Sequence, residues 1–220
     1  MAQYDSPHID RGVQIDYRNL FFSNPDAALV VPKTIQAGYG LLKAGMALAE
    51  NDSAAGGDGK LIPYNPTAET GAEDAPGRAY LLQDGAANTS VYVTMEDSYK
   101  FEVGDTLYVN DADSDARDLG AITAIDRTTY THMAVITVTN QVTDSYTVAQ
   151  FAYVYVKGGD TCVGVLMESR DTGEGNKAQG ALCNLILGNC VLYTGMLINV
   201  DSDALTDLSA AQTGQFTYIR

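Results

Sequence analysis

The chain has 220 residues, 45% of them hydrophobic, and a formal net charge of −15 at pH 7. That length can bury a real core, as one large β domain or two small ones. A surface this acidic repels nucleic acid and anionic membrane, which argues against both as partners, and it keeps a concentrated protein in solution.

Residues 1–33 read as an N-terminal arm. The opening MAQYDSPHIDRG is polar and resembles no secretory signal. Pro7, Pro25 and Pro32 break any long element. Four aspartates (5, 10, 16 and 26) stand against Arg11, Arg18 and Lys33, so the arm carries only about −1 of the −15. A near-neutral segment with Tyr4, Tyr17, Phe21 and Phe22 on an acidic body suits docking, because an extended arm can add a strand to a partner's sheet edge. The alternative is that it packs on its own domain.

From Thr34 to Glu50, Gly38, Gly40 and Gly45 disfavour a long helix, and two short strands around a turn fit better. Asn51–Lys60 is a turn cluster, Leu61–Tyr64 a short strand closed by Pro66, and Thr67–Gly77 an acidic loop. Between Tyr80 and Val156 the texture changes to short alternating strands. Val91, Val93 and Met95 share a face, then Phe101 and Val103, Leu107 and Val109, Ile122 and Ala124, and Ala134, Ile136 and Val138; Phe151, Tyr153 and Tyr155 alternate with Ala152, Val154 and Val156. Period two with β-branched residues predicts half-buried strands, and several divided by turns predict a small barrel or sandwich.

The stretch Thr161–Val200 reads as strand, loop, hairpin. An apolar run, Cys162–Met167, enters a charged loop, Glu168–Lys177; two further apolar runs, Ala181–Leu187 and Cys190–Val200, are separated by Gly188-Asn189, which suits a two-residue turn. Ala181–Val200 carries no charge, but Asn184, Gly188, Asn189, Thr194, Gly195 and Asn199 argue against a membrane span. Cys162, Cys183 and Cys190 sit inside apolar runs with no C-x-x-C spacing, as small buried hydrophobes in a reducing cytosol would. A helix over Ser202–Gln212, capped by Ser202 or Asp203, and a last strand at Phe216–Ile219 close the chain.

Several motifs fall short of known chemistry. Asp111, Asp113 and Asp115 begin like a calcium loop, but its sixth and twelfth positions, Gly and Glu there, are Ala116 and Ile122 here; an acidic inter-strand turn is the better reading. Gly56-Gly57-Asp58-Gly59-Lys60 lacks the first glycine and the following hydroxyl of a phosphate loop. Gly38-x-Gly40 lacks the third glycine of a dinucleotide loop. His8 and His132 have no partnered nucleophile in sequence, and there is no G-x-S-x-G. No catalytic residue, cofactor or metal site is expected, and the chain is not read as an enzyme.

Gly164-Val165-Leu166-Met167-Glu168, the acidic glycine-rich loop after it, and the apolar segment Leu185–Val191 resemble the head decoration proteins of tailed bacteriophages, the class of the lambda capsid-stabilising protein. Ala44–Ala49 and Gly59–Pro66 are similar to the same family. The resemblance implies a virion structural protein on the outer surface of the expanded capsid, made in the host cytoplasm, that stabilises the shell against internal DNA pressure. It implies the major capsid protein and further copies of the chain as partners, a homotrimer ahead of a homodimer, with neither nucleic acid nor membrane. The expected fold is mainly β: an arm (1–33), a small barrel or sandwich decoration-like domain (34–79 plus 157–220) and an inserted small β-barrel (80–156). Tyr4, Ile9, Arg11, Tyr17, Arg18, Phe21 and Phe22 are the residues expected to meet the capsid. A second expectation, from another class, is a surface module binding carbohydrate through Tyr92, Tyr99, Tyr108 and Tyr130 of the insertion.

Overall fold

In the computed structural model, residues 20–23, 25–52, 59–66, 75–111, 116–143 and 146–209 are described with their side chains, and residues 210 and 217–219 by backbone alone. The first strands are β1 (Phe21–Ser23), β2 (Leu29–Ile35), β3 (Leu41–Leu42), β4 (Ala47–Glu50) and β5 (Leu61–Pro63). A middle group follows: β6 (Ala79–Tyr80), β7 (Asn88–Thr94), β8 (Thr106–Asn110), β9 (Arg117–Asp126), β10 (Met133–Val142) and β11 (Tyr153–Val156). Then come β12 (Cys162–Leu166), β13 (Arg170–Asp171), β14 (Ala181–Gly188), β15 (Val191–Tyr193), the helix α1 (Ser202–Ala210) and β16 (Thr217–Ile219). The fold is mainly β, as the alternating pattern predicts.

Two larger sheets dominate. β12, β14, β2, β5 and β4 close into a five-stranded barrel. Its longest joint is the antiparallel ladder of β2 on β14, from Ile35 opposite Ala181 to Leu29 opposite Gly188. Its one parallel joint, β2 on β5, rests on Ile35 opposite Leu61. Small residues let so few strands close: Ala47 and Ala49 of β4 face Val165 and Cys162 of β12, and all four are buried. Leu29–Lys33 lie in β2, so the barrel begins before the arm boundary drawn from the sequence. Pro32 is tolerated inside β2 because, among the described residues, its stretch of the strand is laddered on one side only, against Asn184.

The second sheet is built wholly from residues 79–156, in the order β6-β11-β8-β9-β10-β7. It curls until its edges approach, where Leu81 N–H donates to Ala152 and Leu82 N–H to Tyr92, both at 2.8 Å. Ala134, Ile136 and Val138 are buried on one face of β10, as expected. β9 departs from strict alternation. Leu119 and Ile122 are both buried while Ala124 is exposed, because register shifts interrupt the pairing on both sides of the strand. Phe101 and Val103 form no strand: they follow a 3₁₀ turn (Asp97–Lys100), with Phe101 buried and Val103 exposed.

The predicted hairpin at Gly188-Asn189 does not form. Both ladder edges of β14 are already taken, by β2 and β12. The chain therefore leaves the barrel, and β15 becomes the centre of a small sheet between β1 and β16. α1 begins where expected, but its cap is Asp201, whose carboxylate accepts the Ala204 N–H at 2.8 Å. The same carboxylate oxygen accepts the Tyr64 hydroxyl at 2.9 Å, and Asp207 accepts the Cys162 N–H, so the helix is pinned to the barrel at both ends.

Gly164 explains a residue of the resemblance physically. A Cβ built there would lie 2.7 Å from the Ile186 carbonyl oxygen and 2.8 Å from Leu185 Cγ, so β12 approaches β14 only without a side chain. Gly164→Ala is expected to lower unfolding free energy by about 1–3 kcal/mol, whereas Gly195→Ala, whose Cβ meets nothing within 4 Å, changes it by less than about 0.5 kcal/mol. Denaturant titration of the two variants checks this.

Candidate functional site

Barrel and six-stranded sheet meet at a buried polar cluster. Gln36 follows β2 directly, Asn51 follows β4, and Asp105 precedes β8; all three are buried. Asp105 accepts from Gln36 Nε2 (2.9 Å), Asn51 Nδ2 (2.8 Å) and the Glu102 N–H (2.8 Å). Gln36 Nε2 also donates to the Lys100 carbonyl, and Asn51 Nδ2 to Gln36 Oε1, both at 3.0 Å. Burial raises the Asp105 carboxyl above its usual range, opposed by the three donors and aided by nearby Glu102. Burial likewise raises the Tyr39 hydroxyl well above its ordinary value, with Asp105 and Glu102 adding to the shift. Tyr39 donates to the Lys100 carbonyl.

One strap of chain carries the junction outward. Gly38 has φ +93°, and a Cβ there would lie 2.3 Å from the Tyr99 carbonyl oxygen, so only glycine lets the strap pass the turn at 97–100. On its other side the buried Thr172 hydroxyl accepts the Tyr39 N–H and donates to the Gly40 carbonyl, each at 3.0 Å. No sequence motif marks Gln36, Asn51, Asp105 or Thr172. Their only linear signal is a polar residue at a strand end close to a glycine.

The charged loop Glu168–Lys177 forms one wall of an open groove of about 850 Å³. Leu41, Met95 and Tyr99 give it an apolar part, and Glu96, Asp171 and Glu174 an acidic rim. Among the described residues its lining contains no serine, cysteine or histidine, and so no thiol or serine hydroxyl with an imidazole base.

The expected capsid-binding residues fall into two sets. Tyr4, Ile9, Arg11, Tyr17 and Arg18 lie outside the described residues. Phe21 and Phe22 lie on β1, which pairs with β15 and has no second strand partner among the described residues. Leu20, just before it, is 2% exposed and anchors the strand; Phe22 is 50% exposed and meets Tyr193 edge-on at 5.2 Å. The four tyrosines of the carbohydrate expectation stand on separate elements: Tyr92 on β7, Tyr99 on the 3₁₀ turn beneath Arg127 (4.4 Å), Tyr108 on β8 against Tyr155 (5.8 Å), and Tyr130 in the β9–β10 turn. Of these, Tyr130 alone is more than a third exposed.

Among the described residues, no three His, Cys, Asp or Glu side chains gather as a metal site; Asp113 and Asp115 of the calcium-like stretch lie outside them, as does His8. His132 is exposed in the turn before β10. No described helix is long and apolar enough to cross a membrane, and the uncharged Ala181–Val200 stretch is built of strands and turns. Set beside known proteins, the chain matches no family model, no curated protein and no solved structure.

Asp105→Asn places an amide N–H₂ where donors already converge, and is expected to cost about 2–4 kcal/mol. Because the folded-state pKa is raised, the native protein holds more proton than the unfolded chain in the window from the ordinary carboxyl range up to that raised value. The contribution of Asp105 to stability therefore falls as pH rises through this window. The cost of the substitution should be larger at about pH 4 than at about pH 7, as paired denaturant titrations can measure. The three cysteines give a second test. Burial pushes the thiol of Cys162 up to about 12 and those of Cys183 and Cys190 up to about 11. A charged aromatic disulfide at about pH 8 should find none of them reactive in the native protein and all three after denaturation.

Proposed function

We propose that this chain is a virion structural protein that binds the outer surface of the expanded head of a tailed phage and stabilises it against internal DNA pressure. The supporting observation is where the family-like stretches lie. Ala44–Ala49, Gly59–Pro66 and Gly164–Glu168 are far apart in sequence, yet β4 pairs with β12 on one side and β5 on the other. β14, which carries much of the remaining family-like segment, adjoins β12. The likeness thus falls on one continuous barrel wall rather than on scattered short matches.

A protein of this kind acts through area and repetition. Many weak contacts around a closed shell add by avidity, and a net charge of −15 keeps the free protein dispersed. In this reading Tyr4, Ile9, Arg11, Tyr17 and Arg18 meet the capsid, and β1, with Phe21 and Phe22, forms the root from which that segment reaches a capsid strand.

The test is co-sedimentation with expanded, undecorated heads, comparing the full chain with one beginning at Leu20, which keeps the buried Leu20 and β1. The full chain is expected to pellet with heads, and the shortened one to bind at least about tenfold more weakly. Equal binding by both would move the contact to the body. Binding by neither would end the head-binding reading.

A further inference from the structure

Head binding leaves the open groove of about 850 Å³ without a role. One wall is Leu41 with the loop at 171–179; the other is Met95 and Glu96, which follow β7, and Tyr99 on the 3₁₀ turn. Both walls are braced from within. Thr172 N–H donates to the Gly40 carbonyl at 2.8 Å, Gln179 N–H to the Thr172 carbonyl at 2.9 Å, and Gly40 N–H to the Gly173 carbonyl at 3.0 Å. On the opposite wall the Arg127 guanidinium donates to the Ser98 carbonyl at 2.7 Å and lies over the Tyr99 ring. An occupant therefore meets a seat already formed, and little free energy is lost in ordering it.

The chemistry of the seat narrows the occupant. Among the described residues, three carboxylates line it, Glu96 on one wall and Asp171 and Glu174 on the other, against one cation, Lys177. Acids that flank the groove in sequence are matched: Asp97 pairs with Lys100 at 2.6 Å, and Glu168 with Arg170. Those inside it are not. The side chains of Glu96 and Glu174 make no hydrogen bond or ion pair among the described residues, and that of Asp171 accepts only the Gly173 N–H, at 2.8 Å. Glu174 is seated by shape instead: a Cβ on Gly40 would collide with its Oε1, so the strap leaves room for this carboxylate only with glycine there. A cleft lined mainly by one sign of charge concentrates the opposite sign. The same seat has an apolar part. Leu41 is 41% exposed beside the fully buried Leu42, and Met95 and Tyr99 are half-buried. An inorganic cation gains nothing from those side chains; a ligand that joins positive charge to apolar surface gains from both.

We propose that this groove binds an extended peptide segment in which lysine or arginine stands next to aliphatic or aromatic side chains. Successive side chains of an extended chain point to opposite sides, so one segment passing along an open groove reaches both walls. The ion pairs form at the surface and the apolar contact is small, so the binding is weak and sensitive to salt. The groove shares no residue with the set that meets the capsid, and free protein with free peptide tests it whether or not heads are bound.

Isothermal titration calorimetry of the full chain with an acetylated, amidated hexapeptide alternating lysine and leucine, at about 20 mM and about 200 mM salt, tests the proposal. The expected result is saturable binding of one peptide per chain, weaker at the higher salt. Glu96→Gln, Glu174→Gln and Leu41→Gln alter exposed side chains, so each should keep the wild-type melting temperature and weaken binding about threefold or more. Asp26→Asn removes one exposed charge outside the groove and should leave binding within about 1.5-fold. A peptide with serine in place of leucine should bind about threefold more weakly or worse, and spermidine, of the same charge, should also bind more weakly than the leucine peptide. Titration without saturation, a loss in Asp26→Asn as large as in the groove variants, equal binding of the serine peptide, or spermidine binding as tightly as the leucine peptide would each overturn the proposal.

Discussion

The Asp105 carboxylate, held between Gln36 and Asn51 where barrel meets sheet, is the constraint on which the rest of the molecule depends. Both Gln36 amide hydrogens and both Asn51 amide hydrogens have acceptors, and Asp105 receives three donors. Apolar packing is non-directional and tolerates sliding; a saturated polar cluster does not, because each misplaced donor is left unpaired in a site with little water. The relative position of the two sheets is therefore set by hydrogen-bond geometry, and the apolar residues around it supply driving force. Further fixed points reinforce it. Gly38 lies against the Tyr99 backbone, the Thr172 hydroxyl ties the strap at 39–40, and the buried Arg78 joins Asn65 and Pro66 to the Tyr153 ring.

Much of the sheet content was legible because it follows local period. Val91 and Val93, Leu107 and Val109, and Ala134, Ile136 and Val138 are inward-facing residues that alternation alone identifies. What alternation does not carry is the neighbour of each strand. Gly188-Asn189 has the composition of a hairpin turn, yet the edges of β14 are filled by strands more than a hundred residues earlier and about twenty residues earlier, so the turn sends the chain elsewhere. β9 shows the same limit within one strand: its register is set by partners on both sides, and Ala124 turns outward although Ile122 turns inward.

The candidate sites were less legible than the fold, for a physical reason. A polar cluster assembled from residues 36, 51 and 105 has no linear spacing to detect, and no motif distinguishes Gln36 from any other glutamine. The acidic loop stood out in composition, but its structural weight falls on Thr172, a residue without charge. Alternation places Phe151 in a strand; a residue held in the left-handed region by the closing of a 3₁₀ turn, and facing solvent, is invisible to a pattern that assumes extended chain.

Rigidity at the junction matters for any protein that works by multiple weak contacts. β1 belongs to the small sheet with β15, whereas residues 79–156 form the six-stranded sheet. Two contacts on one body reinforce each other only in proportion to the effective concentration each imposes on the other, and a hinge between them dilutes that concentration. A hinge built on apolar area alone would let barrel and sheet slide; the Asp105 cluster and the Gly38 strap oppose sliding from two sides. The buried carboxylate carries a desolvation cost that an apolar residue in its place would avoid, and the return on that cost is a fixed angle between two surfaces.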